Sequence, residues 1–184
     1  MGVVAAFQLR KIRLDHIAYR VADRHKTVEF FCRSLGYSVL EEFEVNFDDG
    51  SSANCFALES PEAFTLSRNV KTYGAYHLAP EIFVSDGDKD SMVGKWVAER
   101  NGIGGIHHLA YVVESVKNTM KEWREKGYAE FTTEEPLTCP GLTQCFTKPS
   151  EITGVIYEFI ERGMGAKGFC KDNVKDLMES TEGL

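Results

Sequence analysis

The sequence predicts an α+β fold in which two paired βαβββ modules form one curved mixed sheet around a shared cavity. The first observation is an internal repeat: residues 14–21 (LDHIAYRV) return as residues 106–113 (IHHLAYVV). The second observation is that each copy leads into a stretch with helical spacing of apolar residues, which ends at Gly36 in the first copy and at Gly127 in the second. A repeat of this kind indicates duplicated units that bury their apolar faces against each other.

A chain of 184 residues is long enough for one sizeable domain or for two small modules that share a core. We expect one domain over residues 1–184. Its predicted parts are a first module, a linking helix and loop, a second module, and a C-terminal loop and helix, at about residues 12–86, 87–105, 106–162 and 163–184.

Composition excludes several classes of function. The formal net charge of −7 argues against a nucleic-acid partner, whose binding requires clustered Lys and Arg. The five cysteines form no Cys-x-x-Cys pair, so we expect reduced thiols rather than disulfides or a cysteine-rich zinc site. The sequence contains neither a signal-peptide pattern nor an apolar stretch near the roughly 18 residues that a membrane span requires. A cytoplasmic protein without a membrane partner is therefore the expectation.

The first copy of the repeat is predicted to be a strand followed by a helix. His16, Ala18 and Arg20 share one face of this strand, because side chains alternate with a period of two. Asp23 is suited to cap a helix over residues 25–35, where apolar residues recur at helical spacing. The glycine that follows suits the end of a helix.

Alternating apolar residues between turn residues predict the other elements of the first module. The strand candidates are residues 37–45, 54–58, 64–66 and 79–85, and a linking helix follows at residues 91–100.

The second module repeats the order of the first. Its predicted elements are a strand at 107–113, a helix at 116–126, strands at 129–133, 143–146 and 155–160, and a terminal helix at 173–180. Two such modules can close into one curved sheet with helices outside it.

Three residues form a candidate metal site. His16 and His108 occupy the same position in the two copies of the repeat. Glu158 lies in an apolar run without an adjacent cation, a setting that is costly for a carboxylate unless it is paired, protonated or bound to a metal. Two imidazoles and one carboxylate, with positions left open, form the facial triad of non-haem Fe(II) oxygenases. The same ligands could hold Zn, Mn, Ni or Co.

The first module offers a possible equivalent of Glu158. Glu81 also stands in an apolar strand, and it would be a fourth ligand or a base if it faced the cavity. His107 neighbours His108 but should point to the opposite face of the strand and pack against a helix. His25 and His77 have no partner in the pattern and are expected on the surface.

These features identify a resemblance to the vicinal oxygen chelate superfamily, whose members are built from paired βαβββ modules with a metal in the cup. The residues that carry it are the strand phrases at 15–17 (DHI) and 107–109 (HHL). At this level the resemblance includes glyoxalases, epimerases, extradiol dioxygenases and antibiotic-resistance proteins. It implies the fold, and it implies a metal on the two histidines.

The last third of the chain resembles the metal-binding C-terminal half of 4-hydroxyphenylpyruvate dioxygenase more specifically. Residues 144–149 (QCFTKP) are similar to that family's Gln-x-Phe-Thr-Lys-Pro strand and turn. Residues 157–162 (YEFIER) are similar to the strand with its metal-binding glutamate, and residues 163–169 (GMGAKGF) are similar to the glycine-rich loop that follows. Residues 104–108 (GGIHH) match the approach to the second metal histidine.

The resemblance implies that His16, His108 and Glu158 bind Fe(II). In the family, a 2-oxo acid chelates the iron through its carboxylate and keto oxygen, and dioxygen takes the remaining position. The 2-oxo acid is then oxidatively decarboxylated and its aromatic group is hydroxylated. The expected activity is therefore that of an Fe(II)-dependent dioxygenase acting on an aromatic 2-oxo acid.

The same resemblance implies the residues that would contact the substrate. Phe146 and Phe169 match two phenylalanines that sandwich the aromatic ring, and Gln144 matches a glutamine near the metal and the substrate. The expected partners are an aromatic 2-oxo acid and dioxygen, and a homodimer is expected because paired-module proteins often dimerise.

Two alternatives to the dioxygenase remain open. One is a glyoxalase- or epimerase-type metal-dependent isomerase or lyase, in which Glu81 and Glu158 both lie near the metal and one carboxylate abstracts a proton alpha to a carbonyl. The other is a non-catalytic protein that sequesters a planar or metal-chelating small molecule. The orientation of Glu81 distinguishes the first alternative from the dioxygenase.

Overall fold

Eight strands form one mixed sheet in the computed structural model, which describes residues 12–61, 79–164 and 166–184. The predicted strand at 64–66 and His77 lie outside these ranges. In chain order the elements are β1 Arg13–Val21, α1 Arg24–Leu35, β2 Ser38–Asn46, β3 Ser52–Glu59, β4 Glu81–Gly87, α2 Met92–Ala98, β5 Gly104–Val112, α3 Val116–Glu125, β6 Leu137–Cys139, β7 Leu142–Phe146, β8 Ile156–Arg162 and α4 Lys171–Glu179.

The two modules have the same strand arrangement, and they meet at the centre of the sheet. The strand order is β2-β3-β4-β1-β5-β8-β7-β6. In each module the first strand pairs in parallel with the last, as β1 does with β4 and β5 with β8. The two first strands, β1 and β5, pair antiparallel with each other. The sheet curls into a half-barrel, which confirms the predicted α+β fold of paired βαβββ modules.

The helices cover both faces of the sheet. Ala18 of β1 packs in one apolar cluster with residues of α2 and α4, and we call this face of the sheet the inner face. Ile17 and Tyr19 point the other way and pack against α1 on the outer face. Helix α3 packs against Phe159 of β8 in a separate cluster. The alternation along β1 therefore decides which side chains enter the space between the sheet and α2 and α4.

The predicted ends of α1 are confirmed. The side chain of Asp23 accepts a hydrogen bond from the backbone N–H of Lys26, so it satisfies one of the unpaired donors at the start of the helix. Gly36 follows the helix with a φ of 77°, a left-handed conformation that a residue without Cβ adopts at little cost.

One strand of the second module differs from the prediction. Residues 129–133 contribute only an isolated bridge between Phe131 and Thr147, and the strand of this region is Leu137–Cys139. The apolar ring of Phe131 fills a cluster beneath α3 instead of extending a ladder. Within the described ranges, the helices are all too short or too polar to cross a bilayer.

Candidate metal centre

The central strand pair brings the two repeat histidines together. His16 lies on β1 and His108 on β5, and His108 is the register partner of Ala18, two residues along from His16. Glu158 lies on β8, opposite Ala110 of β5. All three side chains are buried on the inner face, so two strands of one module and one strand of the other build the site.

The ligand atoms converge as a metal site requires. The Nε2 atom of His16 lies 3.2 Å from Oε2 of Glu158, and Nε2 of His108 lies 3.0 Å from the same oxygen. The two Nε2 atoms are 3.3 Å apart. Ligands at about 2.1 Å from one ion lie about 3.0 Å apart at right angles and about 3.4 Å apart in a tetrahedron. The three donors therefore fit a divalent metal, and they form the only such group among the described residues.

Electrostatics also favour a cation at this point. Burial alone would lower the pKa of His16, but the carboxylates of Glu158 and Asp15 raise it to about 9 in the metal-free protein. Burial opposes ionisation of Glu158, yet the two imidazoles hold its pKa well below the usual range. Burial lowers the pKa of His108. The site thus keeps one ionised carboxylate facing two imidazoles in a buried volume, where a bound cation would be strongly attracted.

Asp15 orients the first histidine. One of its oxygens lies 3.0 Å from Nδ1 of His16, which accounts for the Nδ1 proton and leaves Nε2 free to bind a metal. Arg162 donates hydrogen bonds to both oxygens of Asp15 and a third to the backbone carbonyl of Gly168. In the sequence, Asp15 stands out only as part of the repeat. Its position next to the ligand histidine was the signal for this role.

A chain of two amides orients Glu158. Nε2 of Gln144 donates a hydrogen bond to Oε1 of Glu158 at 2.7 Å, so Oε2 remains for the metal. Nδ2 of Asn173 donates in turn to Oε1 of Gln144 at 3.0 Å. Gln144 thus contacts one of the three candidate ligands, and its role toward a substrate stays a prediction. Asn173 was not predicted, because it lies on α4 and only the tertiary packing brings it to β7.

The two predicted phenylalanines border the same cavity. The ring of Phe169 lies 4.9 Å from that of His16, and the ring of Phe146 lies 4.5 Å from that of His108. Phe83 contacts Phe169 at 5.0 Å. Three residues of α4 close the cavity and leave a volume of about 30 Å³, enough for an ion or one water. These residues are Val174, Leu177 and Met178.

Glu81 is not the structural counterpart of Glu158. In the second module Glu158 pairs with Ala110, and the matching pair in the first module is Ala18 with Phe83. Glu81 instead pairs with His16 itself, two residues nearer the start of β4. The predicted equivalence is therefore wrong by one two-residue step, which keeps the side chain on the same face but moves it along the strand.

The carboxylate of Glu81 lies outside the group of three ligands. It is 3.7 Å from Nη2 of Arg162, and its Oε2 is buried without a hydrogen-bond partner. Burial raises the pKa of Glu81, although the charge of Arg162 acts against this shift.

His107 points to the inner face, contrary to the prediction. Ala18 of β1 pairs with His108 of β5, and the next residue of β1, Tyr19, pairs with Ile106. His107 is skipped between these two pairs. His107 is thus the extra residue of a β-bulge, which re-aims its side chain. Its Nδ1 lies 2.8 Å from Nδ1 of His108. The expected packing against a helix is observed, since the ring contacts Trp96 of α2.

Comparison with known proteins supports this description of the fold. A family model described as the Glyoxalase/Bleomycin resistance protein/Dioxygenase superfamily matches residues 15–146, well over half of the chain. The match includes both histidines but ends before Glu158. None of the curated proteins matches.

Several solved structures share the architecture at low sequence identity. A variant of 4-hydroxymandelate synthase from Streptomyces coelicolor has a TM-score of 0.73 at 18% identity. The alignment covers 97% of this chain and 57% of that enzyme, so this chain spans little more than half the enzyme's length. Methylmalonyl-CoA epimerase from Mycobacterium tuberculosis has a TM-score of 0.59 at 24% identity, with 86% and 93% covered.

The hypothetical protein BH1468 from Bacillus halodurans C-125 has a TM-score of 0.60 at 22% identity. The alignment covers 86% of this chain and all of that protein. Identities this low establish a common fold and leave the activity to be argued from the site itself.

Proposed function

Because the chain belongs to the Glyoxalase/Bleomycin resistance protein/Dioxygenase superfamily, we propose that it is an Fe(II)-dependent dioxygenase of the 4-hydroxyphenylpyruvate dioxygenase type, acting on an aromatic 2-oxo acid. The observation that carries this proposal is the set of three buried ligand atoms from His16, His108 and Glu158, 3.0–3.3 Å apart. Three protein ligands of these types leave the positions that a bidentate substrate and dioxygen require.

A bound Fe(II) ion would supply a redox-active Lewis acid with open coordination positions for the substrate. The protein's own contribution is orientation. Asp15 holds His16 in the tautomer that presents Nε2, and Gln144 holds Oε1 of Glu158 so that Oε2 faces the histidines. Hydrogen bonds to the atoms of these side chains that do not face the metal keep the ligand atoms in a fixed orientation when the substrate binds.

Aromatic side chains on either side of the ligands favour an aromatic substrate. Phe169 lies against His16 and Phe146 against His108, so a planar group that enters the cavity meets a ring from each module. Offset and edge-on ring contacts add to the burial of apolar surface, and they would orient the substrate's ring relative to its 2-oxo acid group.

Helix α4 must move when a substrate binds. The cavity at the ligands has a volume of about 30 Å³, whereas small-molecule sites are on the order of 300–1,000 Å³. Val174, Leu177 and Met178 of α4 fill the remaining space. Outward movement of α4 would admit the substrate, and its return would exclude water from the site.

The likeness to 4-hydroxymandelate synthase supports the proposal at the level of substrate chemistry. That enzyme's name denotes formation of an aromatic 2-hydroxy acid. A site with two phenylalanines flanking three metal ligands suits the same chemical class, an aromatic ring attached to a short oxygenated acid.

The direct test is anaerobic loading with Fe(II), followed by titration with 4-hydroxyphenylpyruvate and then by admission of air. We expect a visible charge-transfer band in the absence of oxygen and oxygen uptake afterwards. Glu158→Ala should lose stoichiometric iron and the band, whereas the matched variant Glu81→Ala should keep both. Absence of band and uptake in iron-loaded wild-type protein would exclude the proposed activity.

A metal-dependent epimerase or isomerase is the second candidate, and one observation favours it. Oε2 of Glu81 is buried without a hydrogen-bond partner beside the metal ligand His16, and burial raises the pKa of this carboxyl group. A carboxylate in that state could abstract a proton alpha to a carbonyl. Solvent deuterium would then enter the alpha position of a bound 2-methyl acyl thioester in wild-type protein, and the Glu81→Gln variant would lose the exchange.

A further inference from the structure

Arg20 is a buried cation for which the described residues supply no anionic partner. It follows His16 by four residues on the inner face of β1, and its side chain is 2% exposed. Nη2 donates to Oγ1 of Thr181 at 3.1 Å and contacts the sulfur of Met92, but Nη1 has no hydrogen-bond partner. Among the described residues, Arg20 makes no ion pair. A buried charge in this state is costly, so the fold retains Arg20 at the expense of stability.

The charge of Arg20 is present at neutral pH. Burial and the nearby charge of Arg100 lower the pKa of Arg20 to about 9. The guanidinium therefore remains a donor with a positive charge, and it requires an acceptor that the described residues do not supply.

His107 provides a second buried donor without an acceptor. Its Nδ1 faces Nδ1 of His108 at 2.8 Å, so one of these two atoms must donate a proton to the other. When Nε2 of His108 binds a metal, Nδ1 of His108 carries the proton and donates it. His107 then accepts at Nδ1 and carries its own proton on Nε2. That Nε2 atom is buried and has no partner.

The two donors lie against the same aromatic ring. The guanidinium carbon of Arg20 is 5.8 Å from the ring centre of Trp96, and the ring of His107 is 5.5 Å from it. The β-bulge at His107 is what turns its side chain toward this place. Bulges of this kind re-aim side chains next to functional sites.

Arg20 also lines a cavity of about 180 Å³, which Lys95, Trp96 and Thr181 border with it. Two carboxylates, Glu99 and Glu182, border the same cavity. Neither forms an ion pair with Arg20, and Glu99 lies beside Arg100 at 3.8 Å.

We propose that Arg20 and His107 form an oxyanion-binding site on the inner face of the sheet, behind the metal ligand His108, and that it takes a carboxylate or phosphate group. This site is supported by the two buried donor atoms without partners among the described residues, by the contacts of Arg20 and His107 with the ring of Trp96, and by the cavity that Arg20 lines. None of these observations depends on the reaction that the metal centre performs. An oxyanion supplies the acceptors that both groups lack, and a planar guanidinium suits carboxylate and phosphate equally.

Two kinds of molecule can supply the oxyanion, and the geometry is compatible with either. It is either the far end of an elongated substrate whose other end reaches the metal, or a separate small anion. Arg20 lies about 13 Å along β1 from His16, since a strand rises about 3.3 Å per residue. A substrate that reaches both sites therefore carries its second acidic group well away from its metal-binding group.

The first experiment is a thermal unfolding series with inorganic phosphate at constant ionic strength, with chloride as the balancing salt. Wild-type protein should gain melting temperature as phosphate rises. Arg20→Met should lose this gain, and without phosphate it should melt at the same temperature as wild type or higher, because it removes an unpaired buried charge.

Arg100→Met is the matched control, since Arg100 also lies over Trp96 but is partly exposed. It should keep the response to phosphate. If wild-type protein shows no phosphate-dependent gain, or if Arg20→Met keeps the full gain, then the proposal is wrong.

The second experiment identifies the source of the oxyanion. Trp96 fluorescence, isolated in a Trp123→Phe background, is followed while metal-loaded protein is titrated with phenylpyruvate and with its 4-carboxy derivative. If the site belongs to the substrate, Arg20→Met should weaken binding of the 4-carboxy compound by about tenfold or more and leave phenylpyruvate unchanged.

Phosphate should then compete with the 4-carboxy compound. If the site takes a separate anion, phosphate should bind together with either compound, and Arg20→Met should affect phosphate alone. Equal weakening of both compounds and of phosphate by Arg100→Met would assign the effect to general surface charge and would overturn the proposal.

Discussion

At the residue scale, the candidate metal centre is oriented by the hydrogen-bond partners of its three candidate ligands. His16, His108 and Glu158 each use a second polar atom in a hydrogen bond or ion pair, to Asp15, His107 and Gln144 respectively. Such contacts determine which atom of each ligand is free and in which direction it points. The site is therefore oriented before any metal or substrate arrives.

Replacing Asp15 tests this orientation. We expect Asp15→Asn to lower metal affinity about 10- to 100-fold, because the neutral amide supports His16 less well and loses the charge that pairs with Arg162. Isothermal titration with Zn²⁺ measures the change. Asp86→Asn is the control, since it breaks a comparable ion pair between Asp86 of β4 and Arg24 of α1. A similar loss in both variants would indicate a general effect on stability.

Two cysteines should report opening of the core. Burial raises the pKa of Cys55 to about 12, and it also raises the pKa of Cys145. At pH 8 both thiols are protonated and inaccessible in the folded protein, so we expect iodoacetamide to leave them unmodified for as long as the protein is folded.

In urea the same thiols return to a pKa near their usual value of about 8.5, and alkylation should become rapid. Peptide mass spectrometry measures the modified fraction, with the partly exposed Cys32 as the reference thiol that reacts in both states. Fast modification of Cys55 in native protein would show that the inner core opens locally.

The elements follow regular rules, but irregular strand pairing also serves the site. Helix α1 begins at a side-chain cap and ends at a left-handed glycine, as local sequence predicts. Strand β5 departs from regular pairing at His107, where a bulge breaks the ladder. The cap is set by residues next to each other in sequence, whereas the bulge depends on how two distant strands pair.

Removing the cap of α1 should destabilise the fold by a modest amount. We expect Asp23→Ala to lower the free energy of unfolding by about 1 kcal/mol, because the N–H of Lys26 loses its acceptor. Urea denaturation measures the change. Glu29→Ala, which removes an exposed ion pair on the same helix, should change stability by at most about 0.5 kcal/mol. Equal values would mean that the cap contributes no more than a surface contact.

Helix α4 should be the least protected part of the site. Its N-cap residue Cys170 makes no side-chain capping bond, and the helix lies over the cavity instead of within the sheet. In metal-loaded protein we expect its amides to exchange with solvent faster than those of β5, and to slow when a 2-oxo acid binds. Hydrogen-exchange mass spectrometry measures both. Equal protection of α4 and β5 would argue against movement of this helix.

At the scale of the whole molecule, the candidate metal site lies between the two modules. His16 belongs to the first module, and His108 and Glu158 belong to the second. A metal that binds all three links the modules across the β1–β5 pair and stabilises the folded state alone, because separated ligands cannot bind it in the same way.

Removing the metal should therefore lower thermal stability. At a free metal concentration of 100 times Kd, binding adds about 2.7 kcal/mol, which corresponds to roughly 5–10 °C for a domain of this size. Differential scanning fluorimetry with and without a chelator measures this shift. His108→Ala should be insensitive to the chelator, and a chelator effect of equal size in that variant would place the stabilising metal elsewhere.

The sequence by itself determined the duplicated architecture, because a repeat carries its strand pattern with it. It also indicated the three candidate ligands, because a lone carboxylate in an apolar strand needs a partner. The prediction of a strand at residues 129–133 was wrong, because a short apolar segment can fill an apolar cluster as readily as it can extend a strand ladder. The role of Asn173 could not be predicted from the sequence, since its hydrogen bond joins it to Gln144, 29 positions away in the chain.

Only the tertiary structure decided the details that depend on strand register. Pairing placed Phe83, and not Glu81, at the position that matches Glu158, and a bulge turned His107 to the inner face. It also left Arg20 buried, with no anionic partner in the part of the chain that the structure describes. Sequence periodicity specifies which residues share a face, but the offset between two strands depends on contacts along their whole length. The candidate ligands can therefore be read from the sequence, whereas their surroundings are decided by the fold.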